Sequence, residues 1–278
     1  MGLLLDKKIV LLFIFVLSFI GINAQQDEDV YSPKDYKDRQ QFEKFRKRRM
    51  VIAAWQINEL KKGALLVRLK TNQKVIEALR KQGKEDLALK KEVEQFAIDR
   101  NTVLAYKHNF NFCKVYFIYS YSTDTLLKGA RQNIFLDSNL IVDPSIIMAE
   151  KFYLIAERDY AYNSSIGFVK EDAAKYVSEH GNPVKEMAVV VKNKFGHQLK
   201  APFPYYVKDK TYAGINSAVT ETAIFKGKTM TVDIGKQFSK EKFALYIGIF
   251  NDNLNQLYQT SSKPELDKID KTILPFLY

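Results

Sequence analysis

One cysteine, three histidines, seven prolines and twelve glycines in 278 residues remove several chemistries before any pattern is read. Cys113 has no second cysteine in the chain, so neither an internal disulfide nor a Cys-x-x-Cys dithiol exists. Set between Phe112 and Lys114 at the start of an apolar run, it reads as a small buried hydrophobe, with pairing between chains as the other use of an odd cysteine. His108, His180 and His197 are far apart, and none has a neighbour at metal-ligand spacing. No metal and no cofactor is therefore expected. There is no Gly-x-Gly-x-x-Gly, no P-loop and no Gly-x-Ser-x-Gly, which argues against the common nucleotide-binding and hydrolase classes. Asp137-Ser138-Asn139, with Asp143 beyond, has oxygen ligands but neither the spacing nor the closing glutamate of a calcium loop. A tight turn is the better account of it. Internal repeats and low-complexity tracts are also missing.

What is present starts at the N-terminus. Lys7 and Lys8 precede an apolar run from Ile9 to Ile22, and Asn23-Ala24 then gives way to Gln25-Gln26-Asp27-Glu28-Asp29. That order is the order of a secretory signal peptide, with cleavage after Ala24. The run falls short of the ~20 residues that a membrane-crossing helix needs, and no cysteine lies nearby to accept a lipid. Residues 1–24 are thus expected to be removed and the rest exported to the periplasm or the extracellular space. No later segment is long and apolar enough to span a membrane. An exported chain with one cysteine suits a bacterial envelope, since its stability must come from packing. Asn163-Ser164-Ser165 is a formal glycosylation sequon, a triplet that also arises by chance.

Residues 25–34 are acidic and polar and read as a disordered lead-in, leaving 35–278 as a single α/β domain. Between Tyr36 and Lys62 there is no glycine or proline, and Phe42, Phe45, Met50, Ile52, Ala53, Ile57 and Leu60 fall at helical spacing. The Arg46-Lys47-Arg48-Arg49 cluster on this helix fits an anionic surface or, more plainly, a solvated face flanked by Glu43 and Glu59. Gly63 closes the helix. Leu65–Leu69 reads as a strand, and Thr71 or Asn72 as the cap of a helix carrying Val75, Ile76 and Leu79. A second helix from Glu85 to Lys107 shows Leu89, Val93, Phe96 and Ala97 on one face, and Val115–Tyr119 is a second buried strand. Two buried strands separated by helices predict a parallel β-α-β connection.

Further along, Ser122-Thr123-Asp124 opens a short helix ending at Gly129, and Glu171–His180 forms another. Strands are expected at Phe152–Ala156, at Val189–Val191 with a turn at Asn193–Gly196, at Met230–Ile234 and at Phe243–Phe250. The last is apolar at nearly every position, as a central strand covered on both faces would be. Asn251 or Asp252 would then cap a closing helix. Pro202 and Pro204 confine their segment to a sheet edge or a loop. The fold class is α/β, with a mixed or mostly parallel central sheet, helices on both faces and an N-terminal amphipathic helix.

The segment GALLVRLKTNQKVIEALRKQG, its polar second helix and NFCKVYFIYS resemble a group of exported proteins of Bacteroidota to which no activity is attached. The resemblance covers most of the mature chain. It implies an envelope location and carries over no catalytic residue and no ligand.

Two readings of function follow. The chain has a net charge of +11 and no catalytic signature. Together with export, this fits a non-enzymatic envelope or periplasmic protein that binds a partner protein or an anionic envelope component through a basic face. Nucleic acid is not expected as the partner. The alternative is an enzyme of an unrecognised type, with its site at the carboxyl ends of parallel strands, where Lys70, Thr71, Ser120 and Ser122 would gather. A separate exposed patch is expected at Phe203, Tyr205 and Tyr206, with Lys200 and Lys208 beside them, since aromatics among cations can stack on bases or sugars.

Overall fold

In the computed structural model the described residues are 39–161, 186–208, 220–234 and 238–261. The expected signal peptide, lead-in, sequon and Glu171–His180 helix lie outside them, as does His180.

The chain begins with helix α1 (Arg39–Lys62), which buries Ile52, Ala53, Ile57 and Leu60. Gly63 ends it through space rather than through backbone handedness. A Cβ there would sit 2.4 Å from the Phe152 carbonyl oxygen. That close approach lets the Ala64 N–H donate to the same carbonyl and seats strand β1 (Ala64–Leu69). Helix α2 (Gln73–Lys81) closes on Gly83, whose φ is +71°. The N–H of Gly83 donates to the Arg80 carbonyl and that of Lys84 to the Leu79 carbonyl, a paired closure that needs a left-handed residue. Helix α3 (Glu85–Asn109) then returns the chain to strand β2 (Lys114–Tyr119).

β1 and β2 pair in parallel, Ala64 opposite Lys114 and Leu69 opposite Tyr119, as the β-α-β reading predicts. A short helix, α4 (Thr123–Leu127), and a long loop lead to β3 (Tyr153–Ala161), parallel to β1 on its other side. β4 (Glu186–Lys192) and β5 (Tyr206–Lys208) extend the sheet antiparallel. The order is β2-β1-β3-β4-β5, a mixed sheet.

Side chains alternate across this sheet. Leu65, Val67 and Leu69 face a core built with α1, α3 and a C-terminal helix, α5 (Lys240–Thr260). Ala64 and Leu66 face the other way, onto Leu126 of α4 and Ile134, Phe135 and Met148 of the long loop. Helices therefore cover both faces, but the second by one short turn and loop.

α5 corrects the expected Phe243–Phe250 strand. Phe243, Ile247, Phe250 and Leu254 are fully buried at spacings of four, three and four, a helical stripe. Leu245 and Ile249 fill the remaining positions and stay exposed, which hid the period. Asn251 is accordingly mid-helix and caps nothing of its own. Its Oδ1 accepts the N–H groups of Asn111 and Phe112 at 2.9 and 3.0 Å, tying α5 to the α3–β2 turn.

A separate hairpin, β6 (Thr220–Phe225) and β7 (Lys228–Asp233), turns at Lys226-Gly227 with φ of 49° and 76°. Positive φ at both turn residues matches the twist of a two-residue hairpin. β7 was expected and β6 was not, because Thr220–Phe225 alternates around only one buried residue, Ala223. The hairpin lies along α3, with Phe225 and Phe96 ring centroids 5.4 Å apart.

The loop elements follow the sequence more closely. Asp137 Oδ1 accepts the N–H groups of Asn139 and Ile141, both at 2.8 Å, which confirms a turn. The Asn193–Gly196 turn forms too, with Asn193 Oδ1 accepting from Phe195 and His197.

Candidate functional site at the carboxyl ends of the parallel strands

The chain leaves the end of β1 toward the α1/α3/α5 face and leaves the end of β2 toward the opposite face. Connections that part in this way open a crevice at the strand ends. Thr71, the second residue past β1, and Ser120, the first past β2, meet there. The Thr71 N–H and hydroxyl both lie 3.4 Å from Ser120 Oγ. Ser122 is buried beside them. Lys70 points instead across β1 to β3 and pairs with Asp159 at 2.8 Å.

That pair belongs to a row of alternating charges. Arg68 Nε lies 2.8 Å from Glu157 Oε2, Lys192 pairs with both Glu157 and Asp159, and Lys70 completes the row. Glu157 is wholly buried, and neither Arg68 Nε nor Glu157 Oε2 forms a well-aimed hydrogen bond, so this contact is Coulombic. Burial works against the charged form of Asp159, but hydrogen bonds from Lys192 and Lys70 outweigh it and hold the carboxyl well below the usual range. Lys192 is raised by its hydrogen bonds to Asp159 and Glu157 against its own burial.

On the other side of the strand ends, α3 contributes a residue that the sequence reading passed over. Asp99 is 5% exposed, and it lines a cavity of about 330 Å³ together with Lys70, Asn72, Gln95, Thr102 and Arg158. Burial pushes its carboxyl up to about 7, against the opposing effects of a hydrogen bond from Gln95 and the charge of Arg158. Gln95 Nε2 donates to Asp99 Oδ1 at 2.8 Å, and Asn72 Nδ2 donates to Gln95 Oε1 at 2.6 Å. The amide row thus leaves the second Asp99 oxygen without a hydrogen bond among the described residues. A second cavity of about 280 Å³ shares Asn72, Gln95 and Asp99 with the first and continues toward Tyr119, Tyr121 and Phe225.

No family model, no curated protein and no solved structure matches this chain. The site is therefore read from its own geometry.

Of the expected site residues, Thr71 and Ser120 meet at one end of the sheet, Lys70 turns to Asp159, and neither Ser120 nor Ser122 lines either cavity. The expected exposed patch is corrected. Phe203 and Tyr205 are buried, because the loop after β4 folds back on the sheet and the Tyr205 carbonyl accepts the Val191 N–H at 2.7 Å. Tyr206 is half-buried against Tyr205, Lys200 is partly covered and Lys208 is exposed, so no aromatic surface results. His108 and His197 are both exposed. Among the described residues no three His, Cys, Asp or Glu side chains group as a metal site requires. Burial pushes the Cys113 thiol up to about 12, which removes its nucleophilic form at neutral pH.

Asn72, Gln95 and Asp99 left one faint trace in the sequence. Gln95 and Asp99 stand four apart and share a helix face with Glu92, so they could be read as an interacting polar pair beside the apolar stripe, but nothing local set them apart from a solvated face.

Proposed function

We propose that this chain is exported and holds a small polar molecule in the crevice at the carboxyl ends of β1, β2 and β3, against Asp99. The observation that carries the reading is Asp99 itself. A carboxyl buried in a cavity, held by one amide and raised toward neutrality, is the arrangement that binding and acid–base sites use. It donates a hydrogen bond when protonated and accepts one when ionised, which suits recognition and, in the enzymatic alternative, proton transfer. A screen of small polar compounds by thermal shift, repeated with Asp99→Asn, tests this. The expected outcome is a stabilising compound whose effect shrinks at least tenfold in affinity in the variant. A screen without hits between pH 5.5 and 8.5, or hits indifferent to Asp99→Asn, would overturn the reading.

A second reading rests on the exposed Arg46 and Lys47 of α1 and the net charge of +11. It makes the basic side a contact for an anionic envelope component or partner protein. Retention on anionic vesicles and on peptidoglycan that falls steeply with salt supports it. Equal retention on neutral vesicles, or none at low salt, counts against it.

A further inference from the structure

The second cavity has a chemistry distinct from that of the first. Tyr119 and Tyr121 stack on one another there, with centroids 5.3 Å apart and an interplanar angle of 27°. Tyr119 is fixed by donating its hydroxyl proton to the Leu140 carbonyl at 3.2 Å. Tyr121 is 57% exposed and offers its outer surface. Phe225, held by its contact with Phe96, brings a further ring from the hairpin. An exposed aromatic stack beside a third ring is a surface for a flat π-system.

Three of the polar groups in the cavity, Asn72, Gln95 and Asp99, form a hydrogen-bonded row, while Thr71, Gln73 and the Glu92–Lys226 pair also line it. Asn72 has given one N–H to Gln95 and keeps its Oδ1 and its other N–H. Among the described residues Gln95 keeps one N–H free, and Asp99 one oxygen. Donor and acceptor positions therefore follow one another along an edge, as amide side chains do when they read the edge of a base.

We propose that this cavity is a subsite for a flat nitrogen heterocycle of the nucleobase type, stacked on Tyr121 and read along its edge by Asn72, Gln95 and Asp99. The proposal rests on the crevice reading above and narrows its ligand class. It does not require the phosphate-binding glycine loops that the sequence lacks, because it concerns the ring and not a phosphate.

The test is calorimetric titration of the purified protein with adenosine, guanosine, uridine and, as a non-planar control, glucose. At least one nucleoside is expected to bind and glucose is not. Tyr121→Ala is expected to weaken that binding about tenfold, the loss expected when one stacking surface is removed, while Tyr121→Phe retains it. Tyr121 is exposed, so neither change threatens the fold. Failure of all three nucleosides at millimolar concentration overturns the proposal. So does glucose binding as tightly as the nucleosides, or nucleoside binding that Tyr121→Ala leaves unchanged. If a non-planar compound binds in an Asp99-dependent way while the nucleosides do not, the crevice reading stands and this one falls.

Discussion

Asp99 carries the clearest consequence at the scale of single residues. Its carboxyl titrates near 4 in an unfolded chain and near 7 in the fold. Between those values the folded protein holds a proton that the unfolded chain has released. The stability this group contributes is therefore full below about pH 4 and is lost as pH rises through about 7. Asp99→Asn cannot ionise and should remove that loss. Urea unfolding of both proteins at pH 4.5 and pH 8 is expected to show the variant gaining on the native chain by a few kcal/mol, on the order of the shift. A gap that stays constant across pH would show that Asp99 is not buried as described. Cys113 gives a second expectation. With its thiol pushed up to about 12, it should react with a disulfide reagent at pH 8 only after unfolding, as absorbance of the released thiol would report. Rapid labelling of the folded protein would contradict that.

Among the elements, α5 decides the most. Its stripe of Phe243, Ile247, Phe250 and Leu254 supplies a wall of the main core, and Phe250 stacks on Phe110 at 5.8 Å. Asn251 then satisfies two backbone donors of the α3–β2 turn that have no other hydrogen-bonding partner among the described residues. Asn251→Ala strands both and should cost about 1–3 kcal/mol in chemical denaturation, more than an exposed substitution would. Asn251→Asp keeps the accepting oxygen and is expected to recover part of the loss. Equal midpoints for the alanine variant and the native protein would rule out this role. The Arg68–Glu157–Lys192–Asp159–Lys70 row ties β1, β3 and β4 in a comparable way, and its Arg68, Glu157 and Lys70 line the first cavity. Removing one partner of a buried pair leaves an uncompensated charge, so a Glu157→Gln change is expected to destabilise more than any exposed pair would.

At the scale of the whole molecule, the expectations concern export and surface charge. Expression in a bacterial host should yield a chain beginning at Gln25, read by intact mass after fractionation. A protein that keeps Met1 and stays with the cytoplasmic fraction would remove the export proposal without touching the crevice. Among the described helices none is long and apolar enough to cross a membrane.

Local pattern was enough for the first half of the sheet. The apolar runs of Ala64–Leu69 and Lys114–Tyr119 and the helical periods of Gln73–Lys81 and Glu85–Asn109 are set by near neighbours, so those elements and their parallel pairing could be read directly. The meeting of Thr71 and Ser120 followed from that pairing. α5 could not be read in this way, because a segment apolar on all sides fits a central strand as well as a helix, and only packing against α1 and α3 chooses. Nor could the site. Asn72, Gln95 and Asp99 come from a loop and a helix face, and Tyr121 and Phe225 from two further elements. The sequence by itself determined which segments are apolar and where charge accumulates, whereas the expected Thr71 or Asn72 cap makes no side-chain capping bond. Only the tertiary structure decided that Asp99 is buried, because burial belongs to the neighbours that a residue acquires on folding, and its raised pKa follows from that burial alone.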